Sequence, residues 1–153
     1  DWRRKDGDHL PYFIKGGTAS QLKEIFNELS SHTALADTKI QILNDTVNVE
    51  LHSTNIVHFS FKELCGRAFA AEHYMEIANK YEVVILENVP KFTPEQQDEA
   101  MRFVVLVDIF YEHGTKLVCT ADDLPHLLCP EGESAFAFER TASRLIEMQK
   151  RIS

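Results

Sequence analysis

The sequence predicts an α/β fold: a small parallel sheet with a βαβ crossover and a C-terminal helix, preceded by a segment that contains a β-hairpin. Three observations carry this. The runs EVVILENVP (residues 82–90) and KLVCTAD (residues 116–122) are almost continuously apolar, as strands covered on both faces are. Between them lies a helix-length segment with its own start and stop, and a strand–helix–strand unit places its two strands parallel. Upstream, apolar and polar residues alternate through TKIQILNDTVNVEL (residues 38–51), the pattern of half-buried strands.

Taken in order, KGGTAS (residues 15–20) is a loop leading into a helix, and Leu22, Ile25, Phe26 and Leu29 follow at one-face helical spacing. The alternating segment is a hairpin turning at Asn44-Asp45, and IVHFSF (residues 56–61) is a further strand. Ser60 and Glu63 form a capping box for a short helix that breaks at Gly66; a second helix runs from about Ala70 to Lys80. Pro90 ends the first buried strand. Thr93-Pro94-Glu95-Gln96 combines an N-cap, a proline at the first helical position and a capping glutamine, and the helix continues to Gly114. Phe136–Phe138 (FAF) reads as a short strand before the C-terminal helix. The expected organisation is residues 1–58 as a helix-plus-hairpin segment and 59–153 as the C-terminal α/β portion, forming one compact unit.

The totals exclude several classes. The chain has 153 residues and a net charge of −8, which argues against general binding to nucleic acid or acidic membranes. No apolar run is long enough for a membrane span. Cys65, Cys119 and Cys129 are odd in number and far apart, which points to a reducing compartment rather than a disulfide framework. None of the six glycines is followed by lysine, so a phosphate-gripping G-x-x-x-x-G-K-[ST] loop is absent, as is G-x-G-x-x-G. His113, Cys119, His126 and Cys129 include one metal-type pair, His126 and Cys129, but Cys119 falls inside a buried strand.

Against this acidic background two features stand out. The buried strands end at Glu87-Asn88 and at Thr120–Asp123, where an α/β sheet gathers ligands, although any strand must also leave the core through polar residues. Arg140 and Arg144 are four apart, so a helix presents both from one face; a helix beginning near Arg140 puts both near its positive end. With Arg102 they are candidates for gripping an anion, and the bland alternative is salt bridges to neighbouring acids.

FSFKELCGRAFAAEHYMEIANKYEVVILENVP (residues 59–90), DEAMRFVVLVDIFYEHGTKLVCTAD (residues 98–122) and FAFERTASRLIEMQ (residues 136–149) resemble, in order, the C-terminal part of the ZapE-like ATPases. These are AAA+ proteins of bacterial cell division with AFG-like mitochondrial relatives, and DWRR at the start resembles the family's D-Y-R. The resemblance implies that Walker A and Walker B lie upstream of DWRR. ATP and Mg²⁺ would then belong to the full-length protein, with no cofactor expected for this chain alone.

Arg102, Arg140 and Arg144 fall on the family's R-F, R-T and S-R-L positions, so the resemblance makes them candidate γ-phosphate-sensing arginines. The competing expectation is that they fix the C-terminal helix through carboxylates such as Asp108. Implied partners are the rest of the ATPase core, further copies of the protein, and either the division-ring protein FtsZ or an inner-membrane protein. The implied location is cytoplasmic in a bacterium and mitochondrial in a eukaryote. Two departures stand out: His73-Tyr74-Met75 replaces Asp-Tyr-Leu, and Met101 replaces an arginine often found before Arg102. A freestanding, non-enzymatic interaction module is the rival reading.

Overall fold

A computed structural model describes residues 10–152. In chain order its strands are β1 (Phe13–Lys15), β2 (Lys39–Ile42), β3 (Asp45–Asn48), β4 (Leu51–His52), β5 (Ile56–Ser60), β6 (Val83–Val89) and β7 (Lys116–Ala121). The helices are α1 (Ala19–Leu29), α2 (Phe61–Cys65), α3 (Ala71–Lys80), α4 (Gln97–His113) and α5 (Ala135–Ile152). Five strands make one sheet in the order β1-β7-β6-β5-β4, parallel except for the antiparallel edge strand β4. β2 and β3 form a separate antiparallel pair.

The buried strands behave as their apolar runs require. Val57, Phe59, Val84, Leu86, Leu117 and Cys119 face a large core shared with the helices α2 to α5. Their alternates Ile56, Val83, Ile85 and Val118 face Leu22 and Phe26 of α1, with Ile152 closing the same cluster. The period of two thus serves two layers at once. On the larger side Phe61, Phe92, Phe103 and Phe138 meet with ring centroids 5.6–6.1 Å apart.

Local signals explain the helix boundaries. Thr18 and Gln21 exchange both capping-box bonds at α1. Ser60 Oγ accepts from the Glu63 amide, but the Glu63 carboxylate takes Asn48 and Arg67 instead of returning to the cap, so only half of the expected box forms. His73 does the returning half at α3, its Nδ1 accepting the Ala70 amide at 3.1 Å. Thr93 opens a 3₁₀ turn, Pro94–Gln96, that runs into α4, and Gly114 ends α4 at φ +79°.

Two expectations are corrected. FAF is not a strand: residues 136–138 lie in the first turn of α5. Arg140 and Arg144 are therefore the sixth and tenth residues of that helix, past the end where the dipole opposes cations. The hairpin turns one residue early, at Leu43-Asn44, because Ile42 pairs with Asp45 and Leu43 takes φ +56°. At the far edge, the buried Gln149 accepts the Tyr12 amide at 2.8 Å, tying the entry to β1 to the last turn of α5. The DWRR stretch lies outside the described residues.

Candidate functional site

Arg140 and Arg144 meet at a single carboxylate. Arg144 Nη1 donates to Asp108 Oδ1 at 2.6 Å, and Arg140 Nη2 donates to Asp108 Oδ2 at 3.2 Å. Four-residue spacing on α5 supplies both guanidinium groups, and α4 packs alongside to supply the acid. The two arginines are not equivalent. Arg144 is 23% exposed, reaches Glu112 at 3.7 Å and lies 4.7 Å over the Tyr111 ring, whose hydroxyl donates to Glu147. Arg140 is 61% exposed and pairs with Asp108. If Arg140 left, Asp108 would keep its shorter bond to Arg144.

Arg102 does not join them. It lies six residues before Asp108, about 240° around the helix, and donates from Nη1 to the Cys65 carbonyl at 2.9 Å. Cys65 ends α2, so this guanidinium caps an orphan carbonyl; Tyr74 does the same for Leu64 at 2.7 Å. Burial pushes the Cys65 thiol up to about 12, which keeps it protonated.

The second place to look is where the parallel strands end, on the α1 side. Glu87 accepts from His58 Nε2 at 3.0 Å, and His58 is 5% exposed with no partner at Nδ1. Burial lowers the His58 pKa despite the pull of Glu87. Thr120 Oγ1 accepts the Asn88 amide, with Asn88 at φ +68° where β6 bulges against β7. Asp123 sits between Lys15 at 3.4 Å and Lys91 at 3.6 Å. The His58–Glu87 pair was missed from the sequence; its signal was a histidine on the inward alternation of an otherwise apolar strand.

These residues do not fit a nucleotide phosphate. Gly17 follows β1 and precedes α1, but a Cβ there would lie 2.6 Å from Thr120 Cγ2 and 2.9 Å from Ile14, so it is packed onto the sheet rather than lifted into a cradle. Thr18 spends its side chain on the α1 cap, and Glu87 and Thr120 are already engaged. Of the metal-type residues, His113 pairs with Asn79, Cys119 is buried in β7, and His126 and Cys129 line a separate cavity. Among the described residues no three or more His, Cys, Asp or Glu side chains come together as a metal-holding group.

The model of the AFG1-like ATPases matches residues 1–152. The chain belongs to the AFG1-like ATPase family. "Lactation elevated protein 1 homolog B" of Danio rerio is 32% identical over 126 residues, covering 61% of this chain and 25% of that protein. "Cell division protein ZapE" of Escherichia coli K12 is 38% identical over 90 residues, covering 59% of this chain and 24% of that protein. An uncharacterized protein of Schizosaccharomyces pombe is 25% identical over 140 residues, covering 73% of this chain and 31% of that protein. The chain thus spans between about a quarter and a third of these relatives' lengths. No solved structure matches it. Among the described residues no helix is long and apolar enough to cross a membrane.

Proposed function

We propose that this AFG1-like chain is the C-terminal portion of an ATPase whose Mg·ATP chemistry is carried by residues elsewhere in the full-length protein. Its own contribution to hydrolysis is Arg140. The observation that carries this reading is the shared carboxylate: Arg144 already holds Asp108 at 2.6 Å, so Arg140 can leave without stranding a half-buried acid. A guanidinium released at 61% exposure is suited to charge developing on a phosphate, from the same polypeptide or from a neighbouring copy. Arg144 and Arg102 hold structure, one joining α5 to α4 and the other capping α2. Through the family, the hydrolysis would be coupled to cell division in a bacterium or to inner-membrane protein quality control in a mitochondrion.

The test compares Arg140→Ala with Arg144→Ala in the full-length ATPase, measuring turnover, nucleotide affinity and thermal midpoint. Arg140→Ala is expected to lower kcat by about 10²-fold or more while leaving the midpoint nearly unchanged. Arg144→Ala is expected to lower the midpoint. Normal turnover by Arg140→Ala removes the phosphate role.

A further inference from the structure

We propose that the cavity between α1 and the strands β4, β5 and β6 is a binding site for a small alkylammonium ligand. Strand register assembles it. Leu51 on β4 and Ile85 on β6 both pair with His58 on β5, and Glu87 is two residues beyond Ile85. All therefore share the α1 face of the sheet. The Glu50 amide donates to the His58 carbonyl at 2.8 Å, and the Glu50 side chain joins the same wall. Ala19 and Lys23, one turn apart on α1, form the wall opposite. The cavity they enclose is about 260 Å³.

Hydrogen-bond accounting selects a donor as the occupant. His58 is 5% exposed, and its Nε2 donates to the Glu87 carboxylate at 3.0 Å. A carboxylate only accepts, so Nε2 carries the ring proton and Nδ1 is a bare lone pair. That lone pair is buried without a partner. Burial lowers the His58 pKa, which favours this neutral ring over the imidazolium. A buried acceptor left unmade costs stability, and a donor in the cavity would recover it.

Charge and size narrow the class further. Beside His58 the polar lining is Glu50, Glu87 and Lys23, so two carboxylates face one cation. Among the described residues no ion pair joins Lys23 to either acid, which leaves both able to take a ligand's charge. An anion meets acceptors and like charge here. Among the described residues no three His, Cys, Asp or Glu side chains come close enough together to hold a metal ion. Ammonium hydrogen bonds of about 2.9 Å reach further than metal bonds of about 2.1 Å, and one ammonium group offers three donors. Ala19 and Leu51 give its methylenes an apolar wall.

Titrating diaminobutane into the chain, followed by the imidazole nitrogen resonances of His58, tests this at about pH 7.5. Saturable movement of the Nδ1 resonance toward the hydrogen-bonded position is expected. The half-saturating concentration should rise about tenfold in Glu87→Gln, whose amide oxygen still accepts from Nε2. It should rise about threefold in Glu50→Gln and fall about twofold in Lys23→Ala, two exposed positions where melting curves should not change. Butanediol, the neutral counterpart, and succinate, the anionic one, should leave the resonance in place. The proposal is overturned if diaminobutane does not move Nδ1, if butanediol or succinate moves it equally, or if both glutamate variants bind as the parent does.

Discussion

The two faces of the sheet solve the same burial problem differently. On the side of α2 to α5 the three central strands β5, β6 and β7 stay apolar, and four phenylalanine rings fill the space above them. On the α1 side one full helix, with only Ile152 at the tip of α5 beside it, covers Ile56, Val83, Ile85 and Val118, and the strands then turn polar at His58, Glu87 and Thr120. Over its central strands, one face is a packing device throughout. The other is packed at its centre and charged at its rim, and the difference comes from having one covering helix instead of several.

The sharpest way to break this comparison is Phe103→Ala, which removes a ring contacting three others and should cost about 3–5 kcal/mol in urea unfolding. Next comes Arg144→Ala, which strips the outer layer of that face of its shorter Asp108 bond and its Tyr111 stacking; about 1.5–3 kcal/mol is expected by the same measurement.

The α1 face is probed by pH. Burial lowers the His58 pKa below its ordinary 6.5, so as pH falls past that value the unfolded chain takes up a proton that the folded chain resists. Stability is therefore full above the ordinary value and declines as pH drops from it toward the folded value. His58→Gln should flatten that decline, seen by comparing melts at about pH 7.5 and about pH 5. Arg140→Ala is the smallest expected change, at most about 0.5 kcal/mol, because an exposed ion pair contributes little.

Legibility followed the range of the interactions. Thr93-Pro94 and Ser60 announce helices because their caps are made within three residues, and both helices appear where their signals stand. The start of α5 was hidden because its partner is distant: Ser134 donates its amide to Gln97 Oε1 at 2.7 Å. Alternation in FAF misled because three residues are too few to distinguish a period of two from a period of 3.6. Residues two apart share one face of a strand, whereas on a helix they lie about 200° apart. Phe136 at 85% exposure and Phe138 at 3% therefore fit the helix alone, since a strand would turn both rings to one side. At the candidate site, four-residue spacing foretold that Arg140 and Arg144 share a face. The unequal exposure that separates their proposed roles depends on how α5 lies against α4, which spacing does not encode.

The Tyr12–Gln149 bond has a mechanical consequence. β1 is three residues long and sits at the sheet edge, held by its pairing with β7, by Phe13 in the large core, by the Lys15–Asp123 ion pair and by this one amide bond to α5. A pull on Tyr12 would load the final turn of α5 through Gln149 and α1 through Glu28. Slack introduced there, by losing the Gln149 acceptor, would let the first strand and the last helix part company together.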